Sequence, residues 1–272
     1  MQEPPFLLII KHSSITYTAV PLNQEEIVLQ ALYDNEKFFY NYLDLRNDEK
    51  NYNDLFEQPQ ILDMLPDISG KHILELGCGY GATSRKFIEK GAESVYALDV
   101  SKRMIEKAEI ENSDKKITYS CMDMNDLNKL PGSWDIAFSS LVFHYIENLN
   151  QLFCNINQHL KPEGVLVFSM EHPIVTAAVK ECICEFDQNG EPLYFKLDHY
   201  GESGERNIVW LDTYVKKYHR TVADIINSLI YSNFIIDELR EPLPESSLLI
   251  NNLRMHQEIH RPSYLMCRCH KK

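Results

Sequence analysis

The chain has 272 residues, 44% of them hydrophobic, and a formal net charge of −13. That length and composition suit one soluble globular domain with additions, and no apolar run approaches the roughly 18 residues of a membrane span. The acidic balance repels phosphate backbones and argues against a nucleic-acid partner, unless a local basic groove overrides it.

Residues 1–24 are weakly patterned and read as a variable extension, irregular or partly ordered. The run Phe6–Ile10 is short and follows Glu3 rather than basic residues, which argues against a secretory signal. Seven scattered cysteines without a framework spacing point to a reducing cytoplasm. Residues 25–66 read as a helical cap: one helix over Glu25–Leu45, rich in aromatics, and a second over Leu55–Leu65, ended by Pro66 and Gly70.

From 67 to 272 the pattern alternates in the α/β manner. Strands are expected over Lys71–Leu76, Ser94–Leu98, Ile117–Cys121, Asp135–Ser139 and Val165–Met170. Helices are expected over Ala82–Lys90, Lys102–Ile110, Leu149–Leu160 and Val222–Tyr231. Residues 173–220 interrupt the alternation and carry turn signals at Gln188-Asn-Gly190 and Gly201-Glu-Ser-Gly204, which predicts a small antiparallel insertion over the site. Phe234–Leu239 and Ser263–Cys269 read as the final strands.

The most informative run is His72-Ile-Leu-Glu-Leu-Gly-Cys-Gly-Tyr-Gly-Ala82. A buried strand that turns through glycines into a helix brings bare backbone to a ligand at the positive end of the helix dipole. The spacing Gly77-x-Gly79-x-x-Ala82 also fits a dinucleotide fingerprint, so an NAD-type oxidoreductase is the first rival. Three acids at successive strand ends weigh against it. Glu75 stands before the turn, where it can accept from an ammonium. Asp99 lies 22 residues after Gly77, where an open α/β sheet places the acid that binds a ribose diol. Asp123 follows the third strand. Together they suit a cationic nucleoside without phosphate, and S-adenosylmethionine is such a ligand.

On these residues the chain resembles the class I S-adenosylmethionine-dependent methyltransferases. The resemblance runs from about Tyr52 to the C-terminus. It is carried by Leu74-Glu-Leu-Gly-Cys-Gly-Tyr-Gly81, Ala97-Leu-Asp-Val-Ser101, Cys121-Met-Asp123, Trp134-Asp-Ile-Ala-Phe-Ser-Ser140 and Leu160-Lys-Pro-Glu-Gly164, where Glu163 replaces the usual glycine. Ser139-Ser-Leu-x-x-His-Tyr145, Phe168-Ser-x-Glu-His-Pro173 and Lys217-Tyr-His-Arg-Thr221 look like a bacterial subgroup (methyltransferase type 11-like) of mostly unassigned substrate. The resemblance implies a Rossmann-like doubly wound sheet of seven strands with a final antiparallel hairpin. It also implies S-adenosyl-L-methionine as cofactor.

The expected cofactor residues are Glu75 toward the methionine ammonium, Gly77, Cys78, Gly79 and Gly81 in the turn, Asp99 on the ribose, and Val100, Met104, Asp123 and Met124 around the adenine. Ser139, Ser140 and Leu141 leave the fourth strand at the methyl edge. By analogy with related enzymes, Tyr40 and Arg46 of the cap close over the cofactor, Arg46 as a fork on the carboxylate. Against these stand plain structural readings: a tight turn, a helix cap at Asp123, core filling by Met104. His144, His172 and His219 are the candidate acid–base groups, needed only if the nucleophile arrives protonated, and Glu171 joins His172 as a titratable group at the carboxyl edge.

Cys182-x-Cys184 and Cys267-x-Cys269-His270 lack the usual zinc spacing. Alternation puts Leu265, Cys267 and Cys269 on one strand face, which favours burial in the core over a metal. The expected function is methyl transfer to a nitrogen or oxygen of a small molecule by a monomer or homodimer. Protein or RNA methylation and a catalytically silent cofactor-binding module are the alternatives.

Overall fold

The computed structural model describes residues 6–11, 14–19, 32–48, 51–179, 184–250 and 252–272. Its centre is a seven-stranded sheet with the order β12-β13-β7-β6-β3-β4-β5. The strands are β3 (His72–Leu76), β4 (Ser94–Asp99), β5 (Ile117–Cys121), β6 (Trp134–Ser140), β7 (Leu160–Glu171), β12 (Phe234–Arg240) and β13 (Tyr264–Lys271). Pairs β3–β4, β4–β5, β3–β6 and β6–β7 are parallel, whereas β13 runs antiparallel to both β7 and β12. The chain reverses direction across the sheet at β3, between β4 on one side and β6 on the other. Ligands of open α/β sheets bind at such a switch point, beyond the carboxyl ends of the strands.

Each sheet face buries one set of alternating side chains. Leu74, Leu76, Ala137, Phe168 and Leu265 face α5 (Leu149–His159) and α7 (Val222–Tyr231). Ile73, Val95, Ile136, Phe138 and Val167 face α2 (Gln58–Asp63), α3 (Ala82–Glu89) and α4 (Lys102–Glu111). Phe87 of α3 meets Phe138 edge-on, with ring centroids 5.0 Å apart. Cys267 and Cys269 lie in the first of these clusters beside Leu265, as the alternation predicted. Cys182 lies outside the described residues.

The central elements follow the expected ones to within one or two residues, apart from β7. That strand begins at Leu160, with Glu163 in the left-handed region at φ 58°. Helix α7 matches its predicted span, and its start is explained by a capping box: Thr221 accepts from the Asp224 N–H while Asp224 reaches back to the Thr221 N–H. Thr221→Ala should lower stability by about 1 kcal/mol, measured by chemical denaturation.

Three parts differ from expectation. Within the extension, β1 (Phe6–Lys11) and β2 (Ser14–Ala19) form an antiparallel pair where the sequence pattern predicted no strand. The expected cap helix is broken at residues 33–35: α1 spans Glu36–Asn47 and is capped by Asn35, and residues 25–31 lie outside the described set. Between β12 and β13 two short helices, α8 (Ser246–Leu249) and α9 (Leu253–His260), fill a connection that carried no sequence signal.

The insertion is antiparallel, as expected, and contains two hairpins, β8–β9 (Cys184–Phe186, Pro192–Phe195) and β10–β11 (Gly204–Trp210, Thr213–His219). The second closes through Leu211 and Asp212, both at positive φ. Asp is tolerated in this conformation but Leu is not a turn signal, and the glycines at 201 and 204 lie before and at the start of β10 rather than at its hairpin turn. Trp210 packs against Phe38 (5.5 Å) and Tyr42 (6.2 Å), which joins the cap and the β10–β11 hairpin into one aromatic roof.

Candidate active site

The turn after β3 is held from two sides. The N–H groups of Gly77 and Cys78 both donate to the Leu98 carbonyl, at 2.8 and 3.0 Å. Gly79 N–H donates to Asp99 Oδ2 and Ser101 N–H to Asp99 Oδ1, each at 2.9 Å. Gly77 has φ 75°, and a Cβ there would stand 2.4 Å from Val142 Cγ2. Backbone conformation and lack of space therefore both require glycine. Helix α3 begins directly after Gly81 with no side-chain cap, so its first N–H groups remain available at the positive end of the dipole.

Above this turn lies a cavity of about 1230 Å³, larger than a typical single-ligand pocket of roughly 300–1,000 Å³. One end is lined by Glu75, Gly77, Cys78, Gly79, Asp99, Val100, Met104, Asp123 and Met124. Glu75 is buried, accepts from Ser84 Oγ, and has no ion pair among the described residues. Burial pushes its carboxyl up to about 8. Asp99 is also pushed up by burial, against the pull of its two backbone donors. Asp123 caps the turn that follows it, accepting from Asn125 N–H at 2.8 Å, and lines the cavity as well. Arg46 reaches the cavity from α1. Its Nη2 donates to Asp54 at 2.9 Å, whereas Nε and Nη1 are buried without a hydrogen-bond partner among the described residues.

The structure moves several expected residues away. Tyr40 points outward and is 54% exposed. The cap aromatics in the cavity are Tyr33 and Tyr42, whose rings meet at 5.2 Å. Spacing could have revealed this: Tyr42 and Arg46 are four apart and share a helix face, whereas Tyr40 does not. Ser139 is buried and donates to the Leu76 carbonyl at 2.9 Å; its neighbour Ser140 lines the cavity instead. Gly81 closes the turn against Tyr119 rather than lining the cavity, since a Cβ would stand 2.3 Å from the phenol oxygen.

Two of the three histidines are structural. His172 caps α6 (Pro173–Thr176), accepting from Ile174 N–H through Nδ1, and meets Glu241 through Nε2 at 2.9 Å. His219 is buried between Thr176 Oγ1 and the Tyr200 carbonyl. Only His144 lines the cavity. It is buried, and its Nδ1 accepts from Glu171 N–H at 3.3 Å. Burial lowers its pKa to about 3. A neutral ring that accepts at Nδ1 carries its proton on Nε2 and offers a hydrogen-bond donor, not a base.

The end of β7 explains the exchange. Glu171 is the last residue of the strand and faces the cavity, whereas His172 begins the cap of α6. Lys217 of β11 makes a short ion pair with Glu171, and the lysine holds that carboxyl below its usual range despite burial. Further residues come from places with no sequence signal: Gln58 of α2, joined to Ser140 and the buried Glu57, and Arg261, Ser263 and Tyr264 around the start of β13. Asp34 ties the cap to the cofactor end, accepting from Ser101 Oγ at 2.6 Å and Arg103 N–H at 3.1 Å.

A methyltransferase-domain family matches residues 74–168, the segment from β3 through most of β7. A solved S-adenosylmethionine-dependent methyltransferase from Mesorhizobium loti is 36% identical, with a TM-score of 0.73, over 79% of this chain and 97% of that one. The chain belongs to the S-adenosylmethionine-dependent methyltransferases. An uncharacterized protein of Haemophilus influenzae is 35% identical over 89% of this methyltransferase and 97% of its own length. The malonyl-[acyl-carrier protein] O-methyltransferase of Bacillus cereus is 36% identical over 98 residues, 36% of each chain. The shared sheet and family make S-adenosylmethionine the cofactor, and the unpaired buried donors of Arg46 and the unpaired buried Glu75 fit its amino-acid end.

Proposed function

We propose that this methyltransferase acts on a nitrogen or oxygen of a small molecule. The observation that carries the reading is the single cavity that runs from Glu75 and Asp99 to His144 and Glu171 under the aromatic roof. A roofed site admits a small acceptor more readily than a folded protein or an RNA strand, and the net charge of −13 further disfavours RNA. The match to the O-methyltransferase covers only about a third of either chain, so it does not choose between oxygen and nitrogen.

In this reading Glu75 takes the cofactor's ammonium, Arg46 its carboxylate, and Asp99 the ribose diol. Asp123, Met104, Val100 and Met124 flank the adenine, and the turn from Gly77 to Gly79 lies along the chain between them. The sulfonium supplies an activated methyl group. The protein's residues then orient the acceptor and exclude water, which can be worth roughly 7–11 kcal/mol. None of His144, His172 and His219 serves as base, so the acceptor attacks as a neutral amine or as an already ionised group. Residues 25–66 act as cap and 173–220 as roof over a catalytic domain of 67–272. The described cysteines are all free, which fits a cytoplasmic protein.

Incubation with methyl-labelled S-adenosylmethionine and a fractionated cell extract tests this. Label should appear in the small-molecule fraction. Label in the protein or RNA fraction instead would overturn the assignment.

A further inference from the structure

The acceptor end of the cavity holds an ammonium already, and it belongs to the protein. Lys217 Nζ is ion-paired with Glu171 Oε1 and lies 5.7 Å from the Tyr145 ring centroid and 5.6 Å from that of Trp210. The lysine is only 4% exposed, so this corner stabilises a buried cation with one carboxylate and two aromatic faces. Glu171, Tyr145 and Trp210 all line the cavity, whereas Lys217 does not. The pair therefore presents its negative end inward. Among the described residues the second oxygen of Glu171 receives no hydrogen bond.

We propose that Glu171, with the rings of Tyr145 and Trp210, is the recognition site for the acceptor, and that the acceptor is a small amine. The proposal rests on the small-molecule reading above and narrows it to a substrate class. Methyl transfer to an amine forms a C–N bond from the nitrogen lone pair while the C–S bond breaks, so positive charge passes from sulfur to nitrogen. An ionised carboxylate beside that nitrogen favours the change. Beside a phenolate or carboxylate acceptor the same group would repel the attacking oxygen. Lys217 keeps Glu171 ionised, which makes it an electrostatic partner of the nitrogen rather than a base. His144 contributes a neutral donor suited to a carbonyl or hydroxyl elsewhere on the acceptor. Besides Arg46, two cations line the cavity among the described residues: Arg261 is stacked 4.1 Å over Phe195, and Lys216 is ion-paired with Glu205 at 3.2 Å.

Calorimetric titration of the protein saturated with S-adenosylhomocysteine tests this with three matched probes: benzylamine, benzyl alcohol and benzoate. Benzylamine should bind at least about tenfold more tightly than the alcohol, the scale of one charge-assisted hydrogen bond, with benzoate weakest. Glu171→Gln should abolish that preference and Glu171→Asp should retain part of it. S-Adenosylhomocysteine affinity, which reports the fold, should be unchanged in both. Lys217→Met removes the cation that keeps Glu171 ionised, so benzylamine binding should weaken, and more so as pH falls. Benzoate or alcohol binding as well as the amine, no amine binding, or a preference that survives Glu171→Gln would each overturn the proposal. Failure of the underlying reading looks different, since it appears as label in protein or RNA.

Discussion

Asp99→Ala should weaken S-adenosylhomocysteine binding by at least about a hundredfold, the loss expected when a carboxylate that accepts from two hydroxyls is removed. The structure adds a second reason. Asp99 accepts from Gly79 and Ser101 N–H groups at 2.9 Å each, so its carboxylate also fastens the turn on which the cofactor lies. Truncation removes two backbone acceptors worth about 1 kcal/mol each and relieves the burial of a charge, so the fold should survive. Asp99→Asn separates the two functions. It retains one carbonyl acceptor for the turn but loses the charge, and its affinity should fall between wild type and alanine. The check is calorimetry on both variants, with NADH as a control ligand that neither should bind. Wild-type affinity in Asp99→Ala would remove Asp99 from the ribose.

The cofactor end was legible in the sequence because its geometry is local. Strand, glycine turn and helix are contiguous, and strand ends project to one edge, so Glu75, Asp99 and Asp123 could be placed by counting. The acceptor end was legible only in part, because it is assembled from distant segments. Gln58, Arg261 and Tyr264 reach it from a short helix, from the connection before β13 and from the first residue of that strand, and no periodicity marks them. At two places neighbouring candidates had to be separated by the fold. Alternation along β6 leaves Ser140 rather than Ser139 in the cavity, and Glu171 ends β7 facing the cavity whereas His172 caps the following helix. The histidines show a further limit. Residue type suggested acid–base chemistry, but burial and bonding make His172 and His219 anchors and leave His144 a neutral donor.

Binding of S-adenosylhomocysteine should weaken about tenfold for each pH unit below about 8, and the cause is Glu75. Burial pushes this carboxyl up to about 8 in the ligand-free protein, from an ordinary value near 4.5. At pH 6 it is therefore almost wholly protonated, yet a ligand ammonium requires it ionised. Binding must expel the proton, and that cost grows as pH falls. Between pH 7.5 and 5.5 the affinity should drop by roughly a hundredfold, with about one proton released, read from calorimetry in buffers of different ionisation enthalpy. The stability of the ligand-free protein runs the other way. A carboxyl whose folded value is raised contributes stability that is fully present below its unfolded value near 4.5 and is lost as pH rises through about 8. The ligand-free melting temperature should therefore fall as pH rises from 5.5 to 8, while that of the complex should not. Glu75→Gln should flatten both slopes, with weakened binding at pH 7.5 and little change at pH 5.5. A wild-type affinity independent of pH across this range would show that the ammonium binds elsewhere, and would leave Glu75 a buried acid held only by Ser84.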